Sequence, residues 1–377
     1  MKTRLHKIEC IIPPYMLEEI AKHGSAAQQQ MARKNLAHSE QVRSQRQALK
    51  AAAKSAAPAQ AGEMNRVVYD ARNGTSLPGH KARGEGEPAT GDAAVDEAYD
   101  GAGATYQLYQ EVYGRNSIDG NGLWLNSTVH YDQSYDNAFW NGQQMVYGDG
   151  DEDLPVAERL FNRFTISIDI IGHELTHGVT QYEAKLAYAN QPGALNEHMS
   201  DVFGSLVKQR TLNQTAEQAD WLIGHGLFTA KVNGQGIRSM KAPGTAYDDP
   251  VLGKDPQPAH INDYKNVDYD NGGVHINSGI PNHAFYVTAR EIGGRAWEKA
   301  GRIWYVTLRD KLSTQSDFQE AARLTFQVAG ELFGSGSLEQ QAVRKGWAAV
   351  GINAEASGGG GGGKGCLLAP VAFLLRK

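Results

Sequence analysis

The feature that most constrains the fold is the run His173–Thr180, which reads HELTHGVT. On an α-helix, residues four apart share a face, so the imidazoles of His173 and His177 can bind one zinc ion. Glu174 lies beside them, where its carboxylate can accept a proton from a zinc-bound water. Such a helix is typical of zinc peptidases. The alternative interpretation is an ordinary helix that carries two surface histidines.

A catalytic zinc site usually has three protein ligands and an open fourth position, so a third ligand is required. Twenty residues after His177, the run Gly193–Asp201 contains two carboxylates four residues apart, Glu197 and Asp201. On a helix, Glu197 can bind zinc while Asp201 hydrogen-bonds the far nitrogen of a ligand histidine. The alternative is a solvated acidic helix face. His198 points about 100° away from Glu197 and is interpreted as structural.

A third segment, Asp270–Gly279, is a glycine-rich loop that leads into an apolar stretch able to begin a helix. Attack on a peptide carbonyl places negative charge on its oxygen, which a positioned imidazolium stabilises. His275 can provide this ring, with Asp270 orienting it and raising its basicity. Taken alone, a histidine in a loop is more often a plain surface residue.

Together, these segments resemble the thermolysin family of metallopeptidases, and within it the short-propeptide, protealysin-like branch. The resemblance covers roughly residues 66–352, and further matching stretches are Asp136–Gly142, Met145–Asp151 and Arg238–Met240. It implies an α+β fold with a β-rich N-terminal domain, an α-helical C-terminal domain and a zinc cleft between them. It also implies a neutral endopeptidase that cleaves on the N-terminal side of large hydrophobic residues.

The resemblance implies roles for individual residues as well. Asn137 and Ala138 match edge-strand residues that pair with an extended peptide. Tyr188 matches a tyrosine that, with His275, hydrogen-bonds the tetrahedral intermediate, and Arg238 matches an arginine that binds the substrate carbonyl. The apolar walls of the pocket for the residue after the scissile bond correspond to Phe164, Ile170, Ile223 and Ile237. By itself, each of these four would be assigned to core packing.

The sequence departs from the family at the double calcium site. Asp169 and Asp220 remain, but Lys208, Leu222 and His225 occupy other ligand positions. Because a lysine ammonium among carboxylates replaces one cation with another, a salt bridge can substitute for calcium. Zinc is the expected cofactor, and calcium is a second candidate, although the double calcium site is predicted to be absent.

The chain is divided into two peptidase domains with accessory segments at both ends. Alternating short runs predict a β-rich N-terminal domain at residues 63–188, which includes the zinc helix and one helix near residues 96–113. Helical patterns predict the C-terminal domain at residues 189–352. A propeptide with its linker precedes them at residues 1–62. The glycine-rich tail at residues 353–377 is interpreted as an inert extension or an anchor.

The N-terminal region differs in charge from the body. Residues 1–64 carry ten basic and five acidic side chains, whereas the whole chain has a net charge of −5, so opposite charges favour docking. Two prolines fix an extended backbone, which suits an inhibitory plug in the cleft of the precursor. The predicted plug consists of Pro13, Pro14, Tyr15 and Met16. A rival mechanism is a Cys10 thiolate bound to zinc. The alternatives to a propeptide are a disordered tail and a partner-binding arm.

Composition argues against several other classes of protein. No run of 18 apolar residues occurs, so no transmembrane segment is predicted. Cys10 and Cys366 are the only cysteines, which excludes a disulfide framework and a Cys-x-x-Cys zinc site. The expected partners are peptide or protein substrates and the chain's own propeptide, with no nucleic acid. The N-terminus does not make a secretory signal, so the protein is cytoplasmic or exported by a non-classical route.

Three functions fit these observations. The leading one is a zinc endopeptidase made as a self-processing zymogen. A second is a zinc-containing binding protein whose cleft the propeptide blocks permanently, although a binding protein has no chemical need for a general base such as Glu174. A third is a substrate-specific effector protease, which would share the same fold and site.

Overall fold

The computed structural model describes residues 10–52 and 63–356 of the chain. The predicted linker from residue 53 onward and the tail after residue 356 lie outside the described residues. Within the described ranges, no helix combines the length and the apolar character needed to span a bilayer.

Two helices form the N-terminal region, α1 (Pro14–His23) and α2 (Ala26–Ala52). Pro14 begins α1, where its missing N–H would have had no partner within the helix. At the start of α2, the Ser25 hydroxyl accepts a hydrogen bond from the backbone N–H of Gln28, whose side chain accepts from the N–H of Ser25. This reciprocal capping box fixes the turn between the two helices.

A five-stranded mixed sheet forms the core of the N-terminal domain. Its strands are β1 (Arg66–Asp70), β2 (His80–Gly84), β3 (Leu125–Val129), β4 (Ala138–Trp140) and β5 (Met145–Tyr147). The order across the sheet is β2-β1-β3-β5-β4, with β1, β3 and β5 parallel and the two outer strands antiparallel to their neighbours. Although β4 is an edge strand, all three of its residues are buried, because another part of the chain covers this edge.

Helix α3 (Ala93–Gln107) packs on this sheet, and a π-helical turn at Leu108–Val112 extends it. The Asp92 carboxylate accepts hydrogen bonds from N–H groups of the first turn and so caps the helix. The structure thus contains the helix predicted near residues 96–113, and the cap explains its earlier start.

The remaining helices include the zinc helix and most of the C-terminal domain. They are α4 (Ile168–Tyr182), α5 (Asn190–Thr211), α6 (Asp270–Asn277), α7 (Gly279–Ile292), α8 (Ala300–Asp310), α9 (Phe318–Phe333) and α10 (Leu338–Ala349). Between α5 and α6, this helical domain also contains two short antiparallel strand pairs. They are β6 (Leu222–Ile223) with β7 (Arg238–Ser239) and β8 (Asp248–Asp249) with β9 (Gly253–Lys254). Gly224, Gly244 and Gly253 have positive φ in this region, which favours turns over helix.

Two glycines allow α4 and α5 to pack closely. A Cβ at Gly204 would lie 2.4 Å from the carbonyl oxygen of Asp169 and 3.0 Å from the backbone nitrogen of His173. A Cβ at Gly172 would lie 3.0 Å from Cα of Gly204. Since real side chains do not tolerate contacts this short, glycine is required where the two helices cross, and this crossing brings their functional faces together.

The N-terminal region docks on the body through apolar and polar contacts. Met16 of α1 is fully buried in the main hydrophobic cluster. On α2, Lys34 Nζ lies 2.9 Å from Asp132 Oδ1. Ser25 Oγ donates a hydrogen bond to Glu158 Oε2 at 2.6 Å. The described part of this region is therefore docked on the body, whereas residues 1–9 and 53–62 lie outside the described residues.

A buried lysine joins α4 and α5 where the sequence departs from the calcium-binding pattern. Lys208 Nζ lies 2.8 Å from Asp169 Oδ2 and 2.9 Å from Asp220 Oδ1. It also donates to the Leu222 carbonyl at 2.6 Å. Burial opposes the charge on Lys208, but the two carboxylates outweigh it and raise the pKa of the ammonium group. The predicted salt bridge is present, while the absence of the double calcium site stays a prediction.

Replacing this lysine should destabilise the fold. In Lys208→Met, Asp169, whose side chain is 1% exposed, would keep a buried charge without its cation, at a cost of about 3 kcal/mol in the free energy of unfolding. Urea unfolding of the purified full-length protein measures this loss. The matched control is Asp220→Asn, which should lose less because the Asp220 side chain is 36% exposed. A rise in the wild-type midpoint on adding millimolar calcium would contradict the substitution of calcium by Lys208.

Candidate active site

The three residues predicted to bind zinc meet at one buried point. His173 and His177 come from α4 and Glu197 from α5, and none of the three side chains is exposed. The two histidine Nε2 atoms face each other 3.0 Å apart, and each lies 3.5 Å from an oxygen of the Glu197 carboxylate. Among the described residues, this is the one group of His, Cys, Asp and Glu side chains placed to hold a metal ion.

Outer hydrogen bonds orient both imidazoles. His173 Nδ1 lies 2.8 Å from Asp201 Oδ1, and His177 Nδ1 lies 2.9 Å from Asn196 Oδ1. Because both partners are acceptors, each Nδ1 carries the proton and each Nε2 presents its lone pair to the central point. Burial lowers the pKa of His173 to about 4, against the opposing effect of Asp201, so the ring is neutral and able to bind a metal.

This donor set fits zinc. Two neutral imidazoles and one carboxylate are a common ligand set of catalytic zinc sites, in which the ligand atoms of a tetrahedral ion lie about 3.3 Å apart. The separations of 3.0 and 3.5 Å are close to that value. In addition, Oε2 of Glu197 is buried and accepts no hydrogen bond from any described residue. A cation at the central point would satisfy this oxygen.

Glu174 lies between the zinc helix and the edge of the sheet. It follows His173 on α4, and its side chain is fully buried. Its Oε2 accepts a hydrogen bond from the backbone N–H of Trp140 on β4 at 3.0 Å. The edge strand therefore holds this carboxylate in place beside the metal position.

A left-handed turn places Asp270 against His275. Residues 270–273 all have positive φ, and glycine at 272 and 273 adopts it without strain. The Asp270 carboxylate lies 2.6 Å from His275 Nδ1 and accepts from the His275 backbone N–H at 2.9 Å. Burial opposes a charged ring, but Asp270 and Glu197 raise the pKa of His275 to about 9. The ring is therefore an imidazolium at neutral pH and can donate from Nε2.

The hydroxyl of Tyr188 is a second hydrogen-bond donor next to His275 Nε2. This hydroxyl donates a hydrogen bond to the Glu197 carboxylate and lies 3.2 Å from His275 Nε2. The hydroxyl and the imidazolium are thus adjacent, as the resemblance implied.

An extended piece of the N-terminal region runs antiparallel to β4 and covers the edge of the sheet. Cys10 pairs with Phe139. The backbone N–H of Ile11 donates to the Ala138 carbonyl at 3.3 Å. The segment Cys10–Ile12 therefore acts as an additional strand.

Two side chains of the body bind the backbone of this segment. Asn137 accepts from the N–H of Ile12 at 3.0 Å and donates to the Ile12 carbonyl at 3.2 Å. Arg238 Nη1 lies 3.3 Å from the Ile11 carbonyl, to which it donates. Both side chains thus make the kind of backbone contact that the resemblance assigns to them with a peptide substrate.

The segment that occupies the cleft begins before the predicted plug residues. The Cys10 carbonyl lies 3.0 Å from His275 Nε2, so residues 10–12 occupy the cleft. Pro13 is extended, but α1 begins at Pro14. In that helix Tyr15 is partly buried and Met16 fully buried, both in contact with the main hydrophobic cluster. The extended backbone ends at Pro13, because a proline at the first helical position begins a helix as readily as it extends a strand. The charges of Asp270 and Arg238 act on Tyr15, so this side chain lies beside the cleft, and its part in the plug stays a prediction.

The structure also contradicts the rival mechanism for Cys10. Its side chain packs in a small hydrophobic cluster that it shares with Tyr131, Tyr135, Phe139 and Val146. Its Sγ lies 3.5 Å from the Ile12 carbonyl, and Cys10 is not part of the metal-ligand group. A thiolate bound to zinc is therefore not present in this arrangement.

Of the predicted pocket residues, Ile223 pairs with Arg238 across β6 and β7, and Ile237 precedes Arg238 in the chain. Arg238 makes two hydrogen bonds to Asp201, from Nε at 2.9 Å and from Nη2 at 2.8 Å. The four predicted pocket residues are at most 2% exposed and belong to the same hydrophobic cluster as Ile11 and Ile12. They are Phe164, Ile170, Ile223 and Ile237.

Comparisons with known proteins identify the family. The family described as "Thermolysin metallopeptidase, catalytic domain" matches residues 27–181, and the one described as "Thermolysin metallopeptidase, alpha-helical domain" matches residues 184–352. The chain belongs to the thermolysin family. It is thus a metallopeptidase with the two-domain α+β fold predicted from the sequence. The predicted domain boundaries stay predictions.

Relatives of this thermolysin-family peptidase span almost its whole length. An "Extracellular metalloprotease" of Pectobacterium carotovorum subsp. carotovorum is 51% identical over 93% of this chain and 98% of its own. "Protease PrtS" of Photorhabdus sp. (strain Az29) is 46% identical over 93% and 94%. The solved structure of the precursor of protealysin from Serratia proteamaculans has a TM-score of 0.82 and 52% identity, covering 91% of this chain and 99% of its own. This precursor supports a zymogen.

Sequence analysis missed two contributors to the site. Asn196 orients His177, and Trp140 orients Glu174 through its backbone N–H. Asn196 directly precedes Glu197, so it could have been considered as an outer ligand partner. The role of Trp140 has no sequence signal, because any residue except proline supplies the same N–H.

The ligand assignment can be tested by metal analysis. Glu197→Ala should lose zinc, because two neutral imidazoles bind a dication far more weakly than a site that includes a carboxylate. Asp201→Ala should be milder, with zinc affinity or activity falling by about 10- to 100-fold. Zinc content of dialysed protein, measured by mass spectrometry, distinguishes the two. Equal zinc content in wild type and Glu197→Ala would exclude Glu197 as a ligand.

Proposed function

We propose that this protein is the precursor of a zinc endopeptidase in which Glu174 is the general base and His275 with Tyr188 stabilises the oxyanion. The observation that carries this proposal is the contact between His275 Nε2 and the Cys10 carbonyl, beside the group formed by His173, His177 and Glu197. A peptide carbonyl group of the chain itself thus lies beside the proposed oxyanion donor and the proposed metal ligands, as a carbonyl under attack would.

These residues divide the work of hydrolysis. Zinc, held by the two histidines and Glu197, supplies Lewis acidity and makes water more acidic. Glu174 accepts a proton from the attacking water and can pass it to the leaving amine. His275 and Tyr188 donate hydrogen bonds to the carbonyl oxygen as negative charge develops on it. Asp270 keeps the His275 ring oriented for this donation.

The contacts of residues 10–12 define how a substrate would bind. If the Cys10 carbonyl marks the scissile bond, Ile11 is the residue after it, and its carbonyl is bound by Arg238. Ile11 is fully buried in the main hydrophobic cluster of the molecule, to which the predicted pocket residues also belong. We therefore expect cleavage before large apolar residues, with Asn137 and Ala138 binding the extended backbone.

The same contacts support latency. Cys10–Ile12 fills the position of a substrate while α1 and α2 dock on the body, so this region competes with any peptide for the cleft. A permanently blocked binding protein is less consistent with the complete set of catalytic groups and with relatives that are described as proteases.

Glu174→Gln tests the catalytic proposal. The amide keeps the size of the side chain but cannot accept the proton, so peptidase activity should fall by roughly 10³-fold or more. Activity on a generic peptide and the zinc content of the same sample are measured together. The variant should also remain full-length on a gel, because self-processing stops. Near-wild-type activity with zinc retained would refute Glu174 as the base.

The plug is tested by substitutions at adjacent positions. Ile11→Asp places a carboxylate in an apolar site, so the N-terminal region should bind less tightly and the precursor should mature faster. Cys10→Ser is the matched control and should stay latent, because the thiol does not face the metal ligands. Gel time courses of purified precursor measure both. If the precursor stays latent with Ile11→Asp but is active with Cys10→Ser, latency depends on the Cys10 thiol and not on the binding of Ile11 in the cleft.

A further inference from the structure

His198 directly follows the ligand Glu197 on α5, yet its ring lies outside the metal-ligand group. It takes part instead in a chain of buried hydrogen bonds. Trp304 Nε1 lies 2.7 Å from His198 Nε2, and His198 Nδ1 lies 2.8 Å from Asn282 Oδ1. Asn282 Nδ2 lies 2.8 Å from Asp201 Oδ2. This chain joins α8, α5 and α7 at the back of the metal site.

The indole of Trp304, at one end of this chain, determines which atom donates and which accepts in every hydrogen bond. An indole N–H can only donate, so His198 Nε2 must accept and its proton must reside on Nδ1. His198 Nδ1 then donates to the Asn282 oxygen, which leaves the Asn282 amide nitrogen to donate to Asp201. The sequence of donors and acceptors therefore has one consistent solution, and it ends on a carboxylate.

That carboxylate is the one that orients a zinc ligand. Asp201 Oδ1 accepts from His173 Nδ1 at 2.8 Å and from Arg238 Nη2 at 2.8 Å. Asp201 Oδ2 accepts from Arg238 Nε at 2.9 Å and from Asn282 at 2.8 Å. Arg238 also binds the peptide in the cleft, whereas Asn282 does not. The Asn282 contact can therefore hold Asp201 in place independently of what occupies the cleft.

We propose that Trp304, His198 and Asn282 form a relay that positions Asp201, and through it the imidazole of His173, for metal binding. His198 is thus a positioning residue rather than a catalytic one. This inference rests on the proposed function, because it takes His173 as a zinc ligand. Its physical basis is the dependence of ligand basicity and orientation on outer hydrogen bonds.

The C-terminal domain offers a matched pair of tryptophans for the test. Trp304 and Trp347 are both fully buried, and their rings stack with centroids 6.5 Å apart. Trp347 Nε1 donates to Thr325 Oγ1 at 2.8 Å. This hydrogen bond is not connected to the metal site. Each Trp→Phe substitution therefore removes one buried indole hydrogen bond from the same core, but only Trp304→Phe removes the end of the relay.

The experiment uses full-length precursor with Glu174→Gln in every sample, so that self-cleavage does not intervene. Zinc release to an excess of chelator and the urea midpoint are measured for each variant. Trp304→Phe should release zinc about tenfold faster than the parent. This is the smallest effect usually seen on metal affinity when a hydrogen-bond partner of a metal ligand is removed. Trp347→Phe should release it at the parental rate, although both variants should show similar shifts in midpoint. Equal release rates for the two variants would overturn the proposal.

A second pair of substitutions covers the case in which Trp304→Phe does not fold. His198→Gln keeps an acceptor for the indole and a donor for Asn282, so it should retain zinc like the parent. His198→Leu keeps neither and should release zinc faster, whereas equal rates for the two would overturn the relay. His173→Ala in the same background tests the ligand assignment separately. If His173→Ala retains zinc, the proposed site is wrong rather than the relay.

Discussion

The close crossing of α4 and α5 at Gly172 and Gly204 is the constraint on which the rest of the structure depends. It brings two histidines from one helix within reach of a carboxylate from the other. A methyl group at Gly204 would collide with the backbone of the zinc helix itself. The packing of α4 against α5 therefore also determines the geometry of the metal site.

Asp201 links the functions that meet at this crossing. Its carboxylate accepts hydrogen bonds from the proposed metal ligand His173, from Arg238, which binds the Ile11 carbonyl in the cleft, and from Asn282, the last member of the chain that begins at Trp304. The buried negative charge of Asp201 is stabilised because its oxygens accept four hydrogen bonds, one from His173, two from Arg238 and one from Asn282. At the same pair of helices, Lys208 neutralises the buried Asp169, so two compensated carboxylates hold the crossing together.

Helical periodicity places His173 with His177, and Glu197 with Asp201, on one helix face, so these pairs could be predicted from the sequence. His275 was predicted from its glycine-rich loop. The fold followed from the same segments through the family they resemble. The position of the plug could not be predicted from its prolines. Pro14 begins a helix, and whether residues 10–12 or 13–16 fill the cleft depends on how α1 packs against the body. The spacing on α5 separated His198 from Glu197, but the link from His198 to Asp201 depends on the positions of α7 and α8.

The short edge strand β4 has a consequence for which proteins can be degraded. This strand has only three residues and pairs with the chain's own segment Cys10–Ile12 through backbone groups, and under the proposed function a guest peptide would take the place of that segment. A guest must therefore present a few consecutive residues whose own N–H and C=O groups are not already engaged. Residues within helices or central strands do not meet this condition, whereas loops, chain ends and locally unfolded regions do. The cleft thus distinguishes folded from unfolded chain before any side chain is recognised.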